Sequence, residues 1–252
     1  MCQDFAARAG VALVVGGSGG IGAAITRMLV ARGSRVALTF HHNNAAAEHL
    51  VDELAVTADE LDVTDATAAA SLVEEVVRRA GTVHTVVHAA GPHVPMRHLS
   101  AVTPAEFGNQ LSEDTAGFFN VVSAALPALR SSRGNLVAVT SAATGRHAVR
   151  DGLSTAPKSA VEALVRGLAV EEGRFGVRAN CVGPGMLTDG MAQRLVDSGD
   201  LDDRALEAAR ANTPLRRFGS VDDVAEAVCF LASDRAGFIS GQKIDVDGGY
   251  SV

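Results

Sequence analysis

The chain has no tryptophan and a single tyrosine, Tyr250, and of its 22 basic residues only Lys158 and Lys243 are lysine, the rest being arginine. Its three cysteines, Cys2, Cys181 and Cys229, are odd in number and lack metal-ligand spacing, which excludes a disulfide scaffold and a zinc site and suits reduced thiols. No apolar run approaches the roughly 18 residues that span a bilayer, and the opening MCQDFAARAG lacks the basic-then-apolar order of a secretory signal. A net charge of −7 argues against a broad electrostatic footprint for nucleic acid. These absences lead to the expectation of a soluble, cytoplasmic protein that binds neither membrane, nucleic acid nor metal, and whose partner is a small molecule.

What is present suits one large α/β domain over residues 1–252, since 47% of the residues are hydrophobic and nothing divides the chain. Val11 to Val15 forms an apolar run that enters Gly16-Gly17-Ser18-Gly19-Gly20-Ile21-Gly22; Ala23 to Val30 then has helical periodicity, and Gly33 closes the turn. That order is strand, glycine-rich loop, helix. Further buried strands are expected at Arg35 to Thr39, Thr85 to Ala89, Leu136 to Thr140, Val177 to Val182 and Lys243 to Val246, with helical segments between most of them. This alternation predicts a doubly wound parallel sheet, the Rossmann fold, and continuous apolar strands agree because both faces of such a sheet are covered. The polar helical stretch Met191 to Asn212, interrupted at Gly199 to Asp203, has no strand after it and is read as part of a substrate lid over about residues 186–214.

A glycine-rich turn at the first strand-to-helix junction lets backbone N–H groups approach a pyrophosphate beside the favourable helix N-terminus. Gly16, Gly20 and Gly22, with Ser18 and Ile21 between them, are therefore candidate cofactor-binding residues. Ser141, Ser154 thirteen residues on, and Lys158 four residues after that form a second constellation. A lysine kept in an arginine-rich chain points to a compact ammonium that a planar guanidinium cannot replace.

Together these motifs resemble the short-chain dehydrogenase/reductase family over nearly the whole chain, with 3-oxoacyl-acyl-carrier-protein reductases the nearest branch. Asp62-Val63 stands where the family holds the adenine, and His88-Ala89-Ala90-Gly91 stands at the family's Asn-Asn-Ala-Gly. Asn180 to Thr188, with Pro184, Gly185, Leu187 and Thr188, resembles the segment that embraces the nicotinamide, and Pro214 to Gly219 and Val246 to Tyr250 match the closing segment. The resemblance implies a nicotinamide cofactor anchored by Lys158 and a substrate oxygen held by Ser141. It also implies a homo-oligomer, tetramer or dimer, formed through helices at about Pro104 to Leu129 and Thr155 to Arg174. The second strand ends in Thr39-Phe40-His41-His42-Asn43, with no carboxylate for a ribose 2′-OH and two imidazoles for a 2′-phosphate. NADPH is expected over NADH, although Gly19 stands where many NADPH-using relatives have arginine.

The same resemblance exposes two departures. Ser154 occupies the place of the family's proton-donating tyrosine, and Asp114 that of an asparagine which organises a water beside the lysine. A phenol has a pKa of about 10, whereas an alkanol is a far weaker acid, comparable to water, so serine gives up roughly 8 kcal/mol of acidity. Its oxygen also reaches about 4 Å less far, which leaves space for a water or a bulkier substrate. Asp114, one water away from Lys158, is expected to favour the charged ammonium. His93 and His98 are alternative acids; Tyr250 sits in the closing motif and is not expected at the vacancy. The leading expectation is an atypical NADPH-dependent ketoreductase for a polyketide-like or aromatic ketone, with the proton delivered by water or substrate. A weakly catalytic or non-catalytic cofactor-binding subunit, and a non-redox dehydratase or cyclase, are the alternatives.

Overall fold

Alternate residues of a strand face opposite sides of a sheet, and the first strand uses both sides for core. In β1 (Val11–Val15) Leu13 and Val15 join one hydrophobic cluster while Ala12 and Val14 join the other. The computed structural model describes residues 3–92, 94–188 and 203–252. Within them β1 is followed by β2 (Val36–Phe40), β3 (Thr57–Glu60), β4 (Val83–His88), β5 (Asn135–Val139), β6 (Arg178–Pro184) and β7 (Lys243–Val246). These form one sheet of order β3-β2-β1-β4-β5-β6-β7 with every adjacent pair parallel. The expected strands are present, with ends moved by one or two residues. β3 was not among the apolar runs because it is a polar edge strand, Thr-Ala-Asp-Glu, open to solvent.

Parallel strands need helical crossovers, and these cover both faces of the sheet. α1 (Gly20–Ala31), α2 (Asn44–Leu54) and α8 (Val221–Ala232) pack on one side through Ile25, Leu29, Leu50, Val224 and Val228. On the other lie α3 (Ala66–Ala80), α5 (Gly117–Ser132) and α6 (Gly152–Glu172), through Val73, Phe118, Val121, Val161 and Val165. The fold is thus a single doubly wound α/β domain of Rossmann type. Its chain leaves β1 toward β2 on one side and β4 on the other, so the loops after β1 and β4 diverge. Ligands of such sheets sit in that crevice, beyond the carboxyl ends of the strands.

The expected continuous helix from Pro104 is broken into three parts. α4 (Pro104–Leu111) starts on a Thr103/Glu106 capping box with Pro104 in its first turn, the favoured start signals. Ser112–Ala116 then forms a π-helical turn before α5, and such widened turns are frequent at functional sites. α7 (Asp203–Asn212) is the end of the polar stretch assigned to the lid; Met191 and residues 189–202 of that lid lie outside the described residues. No helix among the described residues is long and apolar enough to cross a membrane.

Candidate active site

The glycine turn after β1 is shaped by close backbone approach. Gly16 has φ +74°, the left-handed region where glycine is favoured, and a Cβ there would lie 2.7 Å from the Ala90 backbone. A Cβ on Gly22 would lie 2.1 Å from the Gly16 carbonyl oxygen. The loop is pinned to β2: Gly17 N–H donates to the Thr39 carbonyl at 2.8 Å and Gly16 N–H to the Thr39 hydroxyl at 3.2 Å. α1 begins at Gly19 with no side-chain cap and no acidic residue in its first turn. The N–H groups of Gly20, Ile21 and Gly22 are thus left for an anion, with Ser18 beside them. The cradle fits the pyrophosphate of a dinucleotide.

At the neighbouring strand ends the structure places His41 and His42 after β2 and Asp62-Val63 after β3. The two imidazoles are exposed and stacked, ring centres 3.6 Å apart, and His41 Nε2 lies 4.0 Å from Asp62 Oδ2. Thr64 donates to Asp62 Oδ1 from its backbone at 2.8 Å and its hydroxyl at 2.7 Å. These bonds, then the two histidines, hold the Asp62 carboxyl below its ordinary range. The Val63 carbonyl accepts from Asn120 Nδ2 at 3.0 Å, which ties this side of the crevice to α5.

The side of the crevice where the resemblance leads one to expect the nicotinamide is built from the ends of β4 and β6. Ala90 and Gly91 follow β4, and a Cβ on Gly91 would lie 3.0 Å from Lys158 Nζ and 3.6 Å from Asp114 Oδ1. After Pro184 the backbone is held by Gly185 N–H to the Val246 carbonyl at 3.0 Å, and a Cβ on Gly185 would lie 2.7 Å from Asp247 Cα. Leu187 is buried and bridges to Gly219, and Thr188 N–H donates to the Gly219 carbonyl at 2.9 Å. Lys158 also faces this side, from α6.

Lys158 and Asp114 touch directly, Nζ on Oδ1, where sequence reasoning had placed a water between them. The π-helical turn is the physical reason for the difference: it brings the chain at Asp114 against α6, and Thr115 Oγ1 donates to the Pro157 carbonyl at 3.2 Å across the same seam. Asp114 is 1% exposed at its side chain, Lys158 15%, and Gln110 Nε2 donates to Asp114 Oδ2 at 2.9 Å. Both carboxylate oxygens are therefore satisfied, as burial of a charge requires. Ser141 follows β5, half-buried, its Oγ accepting from Ala143 N–H at 3.1 Å. Ser154 lies half-buried in the first turn of α6, one turn before Lys158.

Several groups here have surroundings that the sequence did not disclose. His88, the last residue of β4, is buried edge-on to Phe118, with ring centres 5.3 Å apart and no hydrogen-bond partner for Nε2. Burial, reinforced by Lys158, pushes its pKa down to about 3, so it is a neutral imidazole. Asp151 opens α6, and loss of solvation pushes its carboxyl upward; its spacing of three from Ser154 was the available signal. Gln110 stands four before Asp114, one helical turn away. Lys243 pairs as Lys158 does: its Nζ touches Thr144 Oγ1 and lies 3.3 Å from Glu162 Oε1 and 2.9 Å from Asp245 Oδ1. Both lysines thus serve interior carboxylates. Of the alternative acids, His98 is exposed and His93 lies outside the described residues. Tyr250 is occupied with Arg146, whose guanidinium covers its ring at 4.9 Å.

A glycine cradle at the switch point, with an ammonium held across the crevice beside a serine, defines a nicotinamide-dependent oxidoreductase on a doubly wound sheet. The family described as enoyl-(acyl carrier protein) reductase matches residues 15–251. The chain is 36% identical to versicolorin reductase 1 of Aspergillus parasiticus over 256 residues, 95% of each protein. It is 32% identical to the 3-oxoacyl-(acyl-carrier-protein) reductase of Staphylococcus epidermidis over 244 residues, 94% of this chain and 97% of that one. A solved short-chain type dehydrogenase/reductase from Mycobacterium ulcerans superposes with a TM-score of 0.90 at 28% identity, covering 97% of this chain and 90% of that one. The chain belongs to the short-chain dehydrogenase/reductase family, as an NAD(P)-dependent oxidoreductase acting on CH–OH and C=O groups.

Proposed function

We propose that this enzyme is an NADPH-dependent ketoreductase whose catalytic centre has serine, Ser154, in the place of the family's tyrosine. The observation that carries this reading is the direct, buried contact of Lys158 with Asp114 beside the Gly91 backbone. A chain that had lost all use for the site would not need to keep an ammonium out of water with both oxygens of its partner satisfied. In this reading the reduced nicotinamide supplies hydride when bound. Ser141 holds the substrate oxygen, Lys158 binds the nicotinamide ribose, and the positive field of the ammonium stabilises negative charge on that oxygen. The proton reaches the oxygen through water or from the substrate, because Ser154 is too weak an acid to provide it.

Similarity to reductases of versicolorin and of 3-oxoacyl carrier-protein substrates supports a polyketide-like or aromatic ketone as substrate. NADPH is preferred because β2 ends at the His41-His42 pair with no carboxylate of its own. Half-exposed Phe119 on α5 and exposed Val170 on α6 support a homo-oligomer through those helices. Buried, unpaired Cys181 and Cys229 suit the reducing cytoplasm. NADPH oxidation against a panel of cyclic, aromatic and 3-oxoacyl ketones tests the reading, with product analysis in the presence and absence of cofactor. Cofactor-dependent alcohol formation is expected. Conversion without NADPH would transfer the assignment to non-redox dehydration or cyclisation, and cofactor binding with no conversion at all would leave a binding subunit.

A further inference from the structure

On α6, Asp151, Ser154, Thr155 and Lys158 stand at positions i, i+3, i+4 and i+7, which is one stripe of a helix. With a rise of about 1.5 Å per residue, Asp151 begins roughly 4.5 Å along the axis from Ser154. The far end of the stripe, Lys158, reaches Asp114 and the Gly91 backbone, so the stripe runs up to the nicotinamide side of the crevice. Its near end carries a carboxyl that the proposed tyrosine-free centre leaves without a role.

The hydrogen bonding of that carboxyl is informative. Thr155 is buried, and its hydroxyl lies 2.8 Å from the Asp151 carbonyl oxygen and 3.2 Å from Asp151 Oδ2. A hydroxyl has one hydrogen, and the shorter contact takes it. The same hydroxyl gives Asp151 Oδ2 only a longer, weaker contact, which turns the carboxyl along the helix toward Thr155, the neighbour of Ser154, and works against the effect of burial on it. Asp151 gives no side-chain cap to its own helix, although it opens α6, so the usual use of an aspartate there, as an acceptor for the first N–H groups, is not its use here. The Leu99 side chain covers the next residue, where a Cβ on Gly152 would lie 2.6 Å from Leu99 Cγ. Removal from water favours the neutral acid and pushes the carboxyl above its ordinary range.

We propose that Asp151 is the acid of this enzyme, passing its proton through a water in the space beside Ser154 to the substrate oxygen. The inference rests on the ketoreductase reading above. A bound reduced nicotinamide would supply the hydride for the new C–H bond, and the C=O π pair would move to oxygen. That oxygen takes a proton from the water, the water takes one from Asp151, and the aspartate left behind is reprotonated from solvent.

The charged surroundings of Asp151 are modest. His147, exposed, is the one charged group that acts on it among the described residues, and it opposes the shift. Lys158 further along the helix is paired with Asp114. Across the Leu99 contact, Arg97 is paired with Glu106 at 2.7 Å and His98 is exposed. Arg150, which precedes Asp151 in the chain, is exposed.

The test is steady-state and single-turnover reduction by wild type, Asp151→Asn, Asp151→Glu and Asp151→Ala, using a ketone that wild type reduces. NADPH affinity and melting temperature serve as folding controls. Positioned acids are worth about 10²- to 10⁴-fold in rate, so Asp151→Asn is expected to lose that much kcat with cofactor affinity kept, and Asp151→Glu to recover part of it. Wild-type kcat should fall as pH rises through the titration of Asp151, and this limb should be missing in Asp151→Asn. Added acetic acid should restore turnover to Asp151→Ala in proportion to its protonated fraction, which a structural aspartate would not allow. Asp151→Asn with near-wild-type kcat and an unchanged pH profile overturns the proposal while leaving the ketoreductase reading intact. A wild type that reduces no ketone overturns that reading, and this inference with it.

Discussion

Asp114 and Lys158 are 44 residues apart in the chain and meet in direct contact beneath the Gly91 backbone. The contact depends on a π-helical turn that presents Asp114 to α6 and on Gln110, which holds its second oxygen at 2.9 Å. A carboxylate here does more than the asparagine that the family resemblance leads one to expect, because it pairs with the ammonium directly, with no intervening water. The cofactor anchor proposed above and local stability thereby meet in one ion pair.

Removing either partner leaves a charge with little access to water, and breaking such a pair costs about 3–5 kcal/mol. Asp114→Ala is expected to lower the unfolding free energy by an amount in that range, read as a lower urea midpoint at unchanged m-value. Asp114→Asn, which keeps a hydrogen bond to Lys158, should lose less. Lys158→Ala is expected to weaken NADPH binding and remove most activity, and Lys158→Arg should fail nearly as badly because a planar fork does not fit a site made for one nitrogen. Urea titration with calorimetric cofactor binding checks all four; full affinity and turnover in either Lys158 variant would make the lysine purely structural.

The proposed preference for NADPH is argued from the stacked His41 and His42, exposed at the end of β2 with Asp62 Oδ2 4.0 Å from His41. NADPH is expected to bind at least tenfold more tightly than NADH, a difference of about 1.4 kcal/mol. His41→Ala/His42→Ala should erase the preference while leaving NADH affinity within a few-fold of wild type. Isothermal titration with both cofactors decides it, and equal or reversed wild-type affinities would remove the assignment.

Periodicity and glycine placement made the sheet, its parallel order and the cradle legible in the sequence, because those features are written locally: apolar five-residue runs, a glycine turn, helices between. β3 was missed as a buried run because an edge strand need not be apolar. The Asp114 carboxylate was found, but its distance from Lys158 was not, since a π-turn adds a residue to a helix without any mark in the hydrophobic pattern. Asp151 escaped notice, and His88 was read only as part of the His88-Ala89-Ala90-Gly91 motif, for another reason. Their chemistry comes from desolvation by partners distant in sequence, such as Phe118 against His88, and only the folded chain sets that. The scarcity of lysine was informative beyond its first use, since Lys243 proved to serve the interior pair of Glu162 and Asp245.

Two buried histidines set an acid limit on stability. Burial pushes His84 down to about 4 and His88 to about 3 from an ordinary 6.5. Both are neutral in the fold, whereas the unfolded chain gains protons below pH 6.5, so their stabilisation is complete above that pH and falls away as pH drops toward 4 and 3. For His84 the full loss is roughly 3 kcal/mol at 1.36 kcal/mol per pH unit. Urea midpoints between pH 7 and pH 4.5 should therefore decline in wild type and decline less steeply in His88→Asn. Parallel slopes for the two proteins would show that His88 does not titrate on unfolding.

Ser154 distinguishes a proton relay from a water site. Its hydroxyl is about six pH units weaker as an acid than a phenol, so its contribution to reduction is limited to holding a water, worth about 0.5–1.5 kcal/mol. Ser154→Ala is accordingly expected to retain a substantial part of the turnover, with kcat reduced by no more than about tenfold and NADPH affinity unchanged. Ser154→Tyr restores a phenol but takes up the volume that the smaller serine side chain gives back, and it should lower activity on the native substrate while raising it on small ketones. Steady-state kinetics of both variants separate the cases. A loss of more than about a thousandfold in Ser154→Ala with cofactor affinity intact, a cost of roughly 4 kcal/mol, would make the serine itself an obligatory carrier of the proton, and the water-mediated route would have to be abandoned.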